Sequence, residues 1–111
     1  MFRHLLIADA DGFFRRPLAN QLRQAGYRTA QADNGRRALE VLSAFAQDSR
    51  PVDVLVVDLD LEEADTLRLL RELRDKQSRI PILCMARHLT REQAQELSKL
   101  GGAAALVKPF S

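Results

Sequence analysis

The chain has 111 residues, 17 basic against 15 acidic side chains for a formal charge of +2, and a single cysteine. That length predicts one domain, and the near balance of charge, with no basic run interleaved with aromatics, argues against direct nucleic-acid binding. One cysteine, Cys84, rules out an internal disulfide or a cysteine metal cluster, and no apolar segment reaches membrane-spanning length.

His4 to Ala8 is a short apolar run that stops at Asp9 and predicts a first strand, with His4 at a strand edge. The N-terminus has no signal-peptide core or cleavage site, so a cytoplasmic protein without membrane contact is expected. Asp9, Ala10, Asp11 and Gly12 form a turn. Phe14, Leu18 and Leu22 then share one face of a helix that Ala25 and Gly26 close, the glycine as a left-handed cap. Pro17 has no backbone N–H, so this helix is expected to start late or kink there. Tyr27 to Ala32 predicts a short strand of mixed polarity nearer a sheet edge. Asp33, Asn34 and Gly35 are a turn and cap signal, and Ala38, Leu39, Val41, Leu42 and Phe45 make the next helix amphipathic.

The central stretch, Pro51 to Asp65, carries aliphatic residues up to Val57 and then changes character at Asp58, with Asp60, Glu62, Glu63 and Asp65 close behind. Such a run suits a strand buried on both faces of a parallel sheet, and ligands and chemistry in such sheets gather beyond the carboxyl ends of the strands. Asp58 is therefore a candidate reactive group, with a loop residue or helix cap as the plainer reading. Leu67, Leu69, Leu70 and Leu73 mark a third helix, with Arg68, Arg71 and Arg74 on its wet side. Pro81 to Met85 is a fourth strand, and Thr90 with Gln93 resembles a capping box for a fourth helix ending at Gly101 and Gly102. Ala103 to Val107 is a fifth strand, before Lys108, Pro109 and Phe110. His88 falls in a loop. Strand and helix alternate five times, with the last helix missing, which implies a parallel sheet covered on both faces.

In this order and spacing, the segments Leu5 to Asp9, Ala25 to Tyr27, Asp33 to Leu39, Val54 to Leu59 and Lys108 to Phe110 resemble a response-regulator receiver domain of two-component signalling. The resemblance covers essentially all of residues 1–111. It implies an α/β, flavodoxin-like doubly wound sheet of five parallel strands in the order 2-1-3-4-5. It implies Asp58 as the phosphoacceptor, taking a phosphoryl group from a histidine kinase or phosphotransfer protein, and Lys108 as the cation beside that group. It implies Mg²⁺ held by Asp9, Asp58 and the backbone carbonyl of Asp60. The residue chemistry agrees. Carboxylates about 4 Å apart repel by roughly 4 kcal/mol at an effective dielectric near 20, and Mg²⁺ favours hard oxygen ligands.

The sequence departs from the family pattern at several positions. Ala10 stands where a second acid usually binds the metal, which lowers the expected Mg²⁺ affinity; Asp11 is the candidate substitute. Ala86 replaces the Ser or Thr that donates to the phosphoryl group, and Ala105 replaces the switch aromatic, so the usual coupled rotation has no side chains to carry it. Glu62 and Thr66 replace the usual proline and glycine. The alternative reading is a degenerate receiver that acts as a phosphorylation-independent protein-binding module.

The chain stops at Ser111, where the family continues into a fifth helix; a longer protein with an output domain is the expectation. Without that helix, the surface near Phe14, Leu18 and the fifth strand is open to a partner or a second copy, so a homodimer is also expected. A remote alternative comes from Asp9 and Asp11, whose spacing resembles the nucleophile and general acid/base of haloacid-dehalogenase-type phosphatases.

Overall fold

The apolar runs are the strands, and each of the first four is followed by a helix that returns the chain to the same end of the sheet. The computed structural model describes residues 3–47, 50–58, 63–76, 80–86, 90–99 and 104–107. In chain order these form β1 (His4–Ala8), α1 (Gly12–Gln24), β2 (Arg28–Ala32), α2 (Gly35–Gln47), β3 (Val54–Asp58), α3 (Glu63–Asp75), β4 (Ile82–Ala86), α4 (Arg91–Lys99) and β5 (Ala104–Val107). All strand pairs are parallel, and their order is β2-β1-β3-β4-β5, as the family resemblance implies. The mixed-polarity strand β2 lies at an edge, and β3 lies at the centre.

Alternation along the strands divides the core in two. Leu6, Ala8, Leu55, Val57, Cys84 and Ala86 cluster with Ala38 of α2 and with Leu69, Leu70 and Leu73 of α3. Ile7, Val56 and Met85 cluster with Ala19, and Phe14, Leu18 and Leu22 of α1 pack against them, half-buried. Phe14 and Leu18 thus cover part of the sheet, while Phe13 is almost fully exposed. Burying one leucine such as Leu70 contributes about 1.5–3 kcal/mol.

Two of the predicted caps form, while Gly101 and Gly102 lie outside the described residues. Asn34 Oδ1 accepts from the Arg37 N–H at 2.8 Å at the start of α2. Gly26 adopts φ +100°, the Tyr27 N–H donates to the Leu22 carbonyl at 3.0 Å, and the Gly26 N–H donates to the Arg23 carbonyl at 3.0 Å. This is the double hydrogen-bond pattern that ends a helix through a left-handed residue.

One local expectation is corrected. Pro17 does not delay α1, which already runs from Gly12 and contains the proline. Asp11 nucleates the helix early, and Pro17, Phe13 and Arg16 lie on its exposed side, where water can satisfy the carbonyl that loses its partner. His4 is at the edge of its strand, as expected. It opens an interior strand and is buried, its ring edge-on to Phe45 at 4.5 Å and its Nδ1 3.2 Å from the Arg50 carbonyl. A carbonyl can only accept, so Nδ1 carries the proton in that bond.

Candidate functional site

β1 and β3 run side by side in register, with Ala8 opposite Val57. The next residues are Asp9 and Asp58, so two acids leave the carboxyl ends of neighbouring strands, about 4.8 Å apart by strand spacing. Both are buried, Asp9 at 0% and Asp58 at 3% exposure. Buried carboxylates are rare unless paired or bonded to a metal, so this juxtaposition needs cations or donors around it.

The turn after β1 shows how Asp9 is held. Its N–H donates to the Ala32 carbonyl of β2 at 2.9 Å, and its Oδ1 accepts from the Asp11 N–H at 2.9 Å. Asp11 is the N-cap of α1, accepting from the Phe13 N–H through Oδ1 at 2.9 Å. Its carboxylate therefore serves the helix start, with its position two residues past Asp9 set by the same turn. Ala10 lies exposed between them.

Arg15, one helical turn after Asp11, reaches back to this turn. Its Nη1 donates to the Asp9 carbonyl at 2.6 Å, and its Nε donates to Gln31 Oε1 at 2.9 Å. Arg15, Gln31, Ala32, Asp33 and Arg37 line an open cavity of about 200 Å³ at the carboxyl end of β2. Sequence reasoning missed Arg15; the available signal was a basic residue one turn into a helix that follows an acidic turn.

On the other side of Asp58, its register partner is Met85, and Ala86 ends β4. Ala86 is 1% exposed and belongs to the cluster of Ala8, Val57 and Cys84. Ala105 pairs with Cys84 in the sheet, and Val107, the last residue of β5, pairs with Ala86. Lys108, Asp60, Glu62 and His88 lie outside the described residues. Among the described residues, no group of three or more His, Cys, Asp or Glu side chains gathers into a metal cage.

A parallel 2-1-3-4-5 sheet with acids at the carboxyl ends of its first and third strands places the protein in the flavodoxin-like class that includes the chemotaxis-type signalling domains. The match to the response regulator receiver domain spans residues 5–111, and the chain belongs to that family. It is 32% identical over 106 residues to the regulatory protein AtoC of Escherichia coli K12, an alignment covering 96% of this chain but 22% of that protein. The chain thus spans about a fifth of that relative's length. Its fold is similar to chemotaxis protein CheY4 of Vibrio cholerae, with 28% identity and a TM-score of 0.84 over 100% of this chain and 90% of that one. It is equally similar, at 28% identity and TM-score 0.84, to a Burkholderia pseudomallei response regulator solved with a phosphorylated aspartic acid, calcium ion and citrate, covering 98% of this chain and 61% of that one. The chain is therefore a receiver domain of the kind found in two-component signalling. Among the described residues, no helix is long and apolar enough to cross a membrane.

Proposed function

We propose that Asp58 accepts a phosphoryl group from a histidine kinase or phosphotransfer protein. The observation that carries this reading is the burial of Asp58 at the end of the central strand, directly beside the equally buried Asp9. An Asp58 carboxylate oxygen would attack phosphorus and form an O–P bond as the P–N bond to the donor imidazole breaks. A phosphorylated aspartate in a receiver of the same fold at 28% identity supports the assignment.

The donor set fits a hard divalent cation. Asp9 and Asp58 offer carboxylate oxygens, and Mg²⁺ needs only one or two carboxylates because it keeps several waters. Asp9, Asp58 and the Asp60 carbonyl would hold it, and Mg²⁺ would neutralise charge between the carboxylate and the incoming phosphoryl group. Lys108 would pair with that group from the other side. Asp11 is the weaker ligand candidate, because capping α1 already orients its carboxylate. An output domain, in this protein or a partner, would read the modified state.

Ala86 favours a second reading. A methyl at 1% exposure, packed among aliphatic residues, offers the phosphoryl group no hydroxyl. On that reading the domain binds a protein partner without phosphorylation. Intact mass after incubation with Mg²⁺ and a small-molecule phosphodonor separates the two. One added phosphoryl group, absent in Asp58→Asn, is expected. No adduct together with no Mg²⁺ binding by calorimetry would move the assignment to the binding module.

A further inference from the structure

The exit of β1 is gripped by a side chain that supplies no oxygen to the acidic site. Asp9 is buried, and its main chain is held from two sides. Its N–H donates to the Ala32 carbonyl of β2 at 2.9 Å, and its carbonyl accepts from Arg15 Nη1 at 2.6 Å. Arg15 is half-buried, and its Nε donates to Gln31 Oε1 of β2 at 2.9 Å. Two nitrogens of one guanidinium thus bridge the strand exit and the edge strand.

We propose that Arg15 is a positioning residue for metal binding at Asp9, anchored in turn by Gln31; this rests on the reading of Asp9 as a Mg²⁺ ligand. Mg²⁺ demands near-ideal octahedral geometry, so a ligand oxygen is best aimed before the ion arrives. The Asp9 carbonyl belongs to the peptide that joins Asp9 to Ala10. Holding it fixes ψ of Asp9 and the path of the turn that follows. That turn delivers the Asp11 N–H, which donates to Asp9 Oδ1 at 2.9 Å and so orients the carboxylate. Arg15 also closes the turn through its own N–H, which donates to the Asp11 carbonyl at 2.9 Å. Ala10, exposed between the two acids, has no polar side chain to share the task.

Charge alone would give Arg15 the opposite effect. A fixed positive charge beside a cation site repels the ion, so a residue acting only by its charge weakens Mg²⁺ binding, and its removal strengthens it. A residue acting by position strengthens binding, and its removal weakens it. The two roles therefore differ in sign. Arginine suits the second because its donors lie in one rigid plane, whereas lysine is a point charge on a flexible stem and cannot fix both acceptors in one geometry.

The test is a titration of the ¹⁵N-labelled protein with MgCl₂ at fixed ionic strength, without phosphodonor, read from the Asp9, Asp11 and Asp58 amides. Saturable shifts are expected in the parent. Arg15→Ala should raise the Mg²⁺ Kd about tenfold, as loss of a hydrogen bond that orients a metal ligand does elsewhere. Arg15→Lys should recover part of the affinity. Gln31→Ala leaves Arg15 in place and should raise the Kd by less. The double variant should bind no more weakly than Arg15→Ala alone, because Gln31 acts through Arg15. An unchanged or lower Kd in Arg15→Ala, or losses that add in the double variant, would overturn the proposal and leave the metal reading intact. If Arg15→Ala does not fold, an unchanged Kd in both Arg15→Lys and Gln31→Ala would overturn it equally. A parent with no saturable shift would overturn the metal reading itself, and the proposal with it.

Discussion

Arg15 donates from Nη1 to the main-chain oxygen of Asp9 at 2.6 Å while its Nε holds Gln31 Oε1 at 2.9 Å. One side chain thus clamps the first turns of α1 to the exit of β1 and to the edge strand β2. The site's geometry depends on this exit, because Asp9 emerges there. Replacing Arg15 with alanine removes two hydrogen bonds from a charged donor. A loss of about 1–3 kcal/mol in urea unfolding is expected. The Asp11 amide, which donates to Asp9 Oδ1, should exchange its hydrogen faster. Unchanged Asp11 exchange in Arg15→Ala would show that the turn holds without the clamp.

Asp9 and Asp58 follow register partners and are both buried, so their charges oppose each other across one strand spacing. At about 5 Å and an effective dielectric near 20, two full charges repel by about 3 kcal/mol. The neighbouring donors offset part of this. Asp58→Asn is therefore expected to raise stability by about 1–3 kcal/mol in the absence of divalent metal. Saturating Mg²⁺ should narrow the gap, because the parent gains binding energy that the variant lacks in part. Urea midpoints in chelator and in Mg²⁺ check both parts. A variant no more stable than the parent in chelator would mean that surrounding donors already cancel the repulsion.

These two cases show which parts of the molecule are legible in the sequence. Element order follows from apolar runs alternating with amphipathic stretches, a local signal, whereas the strand order comes from the family resemblance. Asp9 and Asp58 stand out because each ends an aliphatic run. Asn34 and Gly26 are readable because caps are set by residues within a turn or two. Arg15, His4 and Asp53 are not readable in this way. Asp53 binds main-chain groups 49 and 50 residues away, and His4 meets Arg50 46 residues away. No local pattern encodes such partners; they exist only once the sheet has brought β1 beside β3. Pro17 misleads for the opposite reason, since its local cost is real but falls on the solvent side of α1.

Cys84 sits fully buried in β4, and desolvation pushes its thiol up from 9.0 to about 11. The unfolded chain ionises this thiol first, so between those values the unfolded state binds fewer protons. Stability should therefore fall as pH rises from about 9 to 11, by up to about 3 kcal/mol for a shift of this size. Cys84→Ala should lack this alkaline decline while carrying a fixed loss from the small cavity it leaves. At pH 8 the native thiol should resist a disulfide reagent and react on unfolding in urea. Rapid native labelling would contradict the burial.

Asp53 Oδ2 accepts the N–H groups of Arg3 and His4, each at 3.0 Å, and so fixes the start of β1 against the start of β3. The Arg3 N–H is the main cause that holds this carboxyl below its ordinary value of 3.8; burial opposes it, and the His4 N–H adds to the lowering. A depressed folded value means that the stabilisation is present in full above the unfolded value and disappears as pH falls through the folded one. Asp53→Asn keeps an acceptor oxygen in place but removes the charge. It should unfold at lower urea than the parent at pH 7, and the two should converge as the pH drops below about 4. A gap between parent and Asp53→Asn that persists undiminished at pH 2 would assign the effect to side-chain packing and not to the charged clamp.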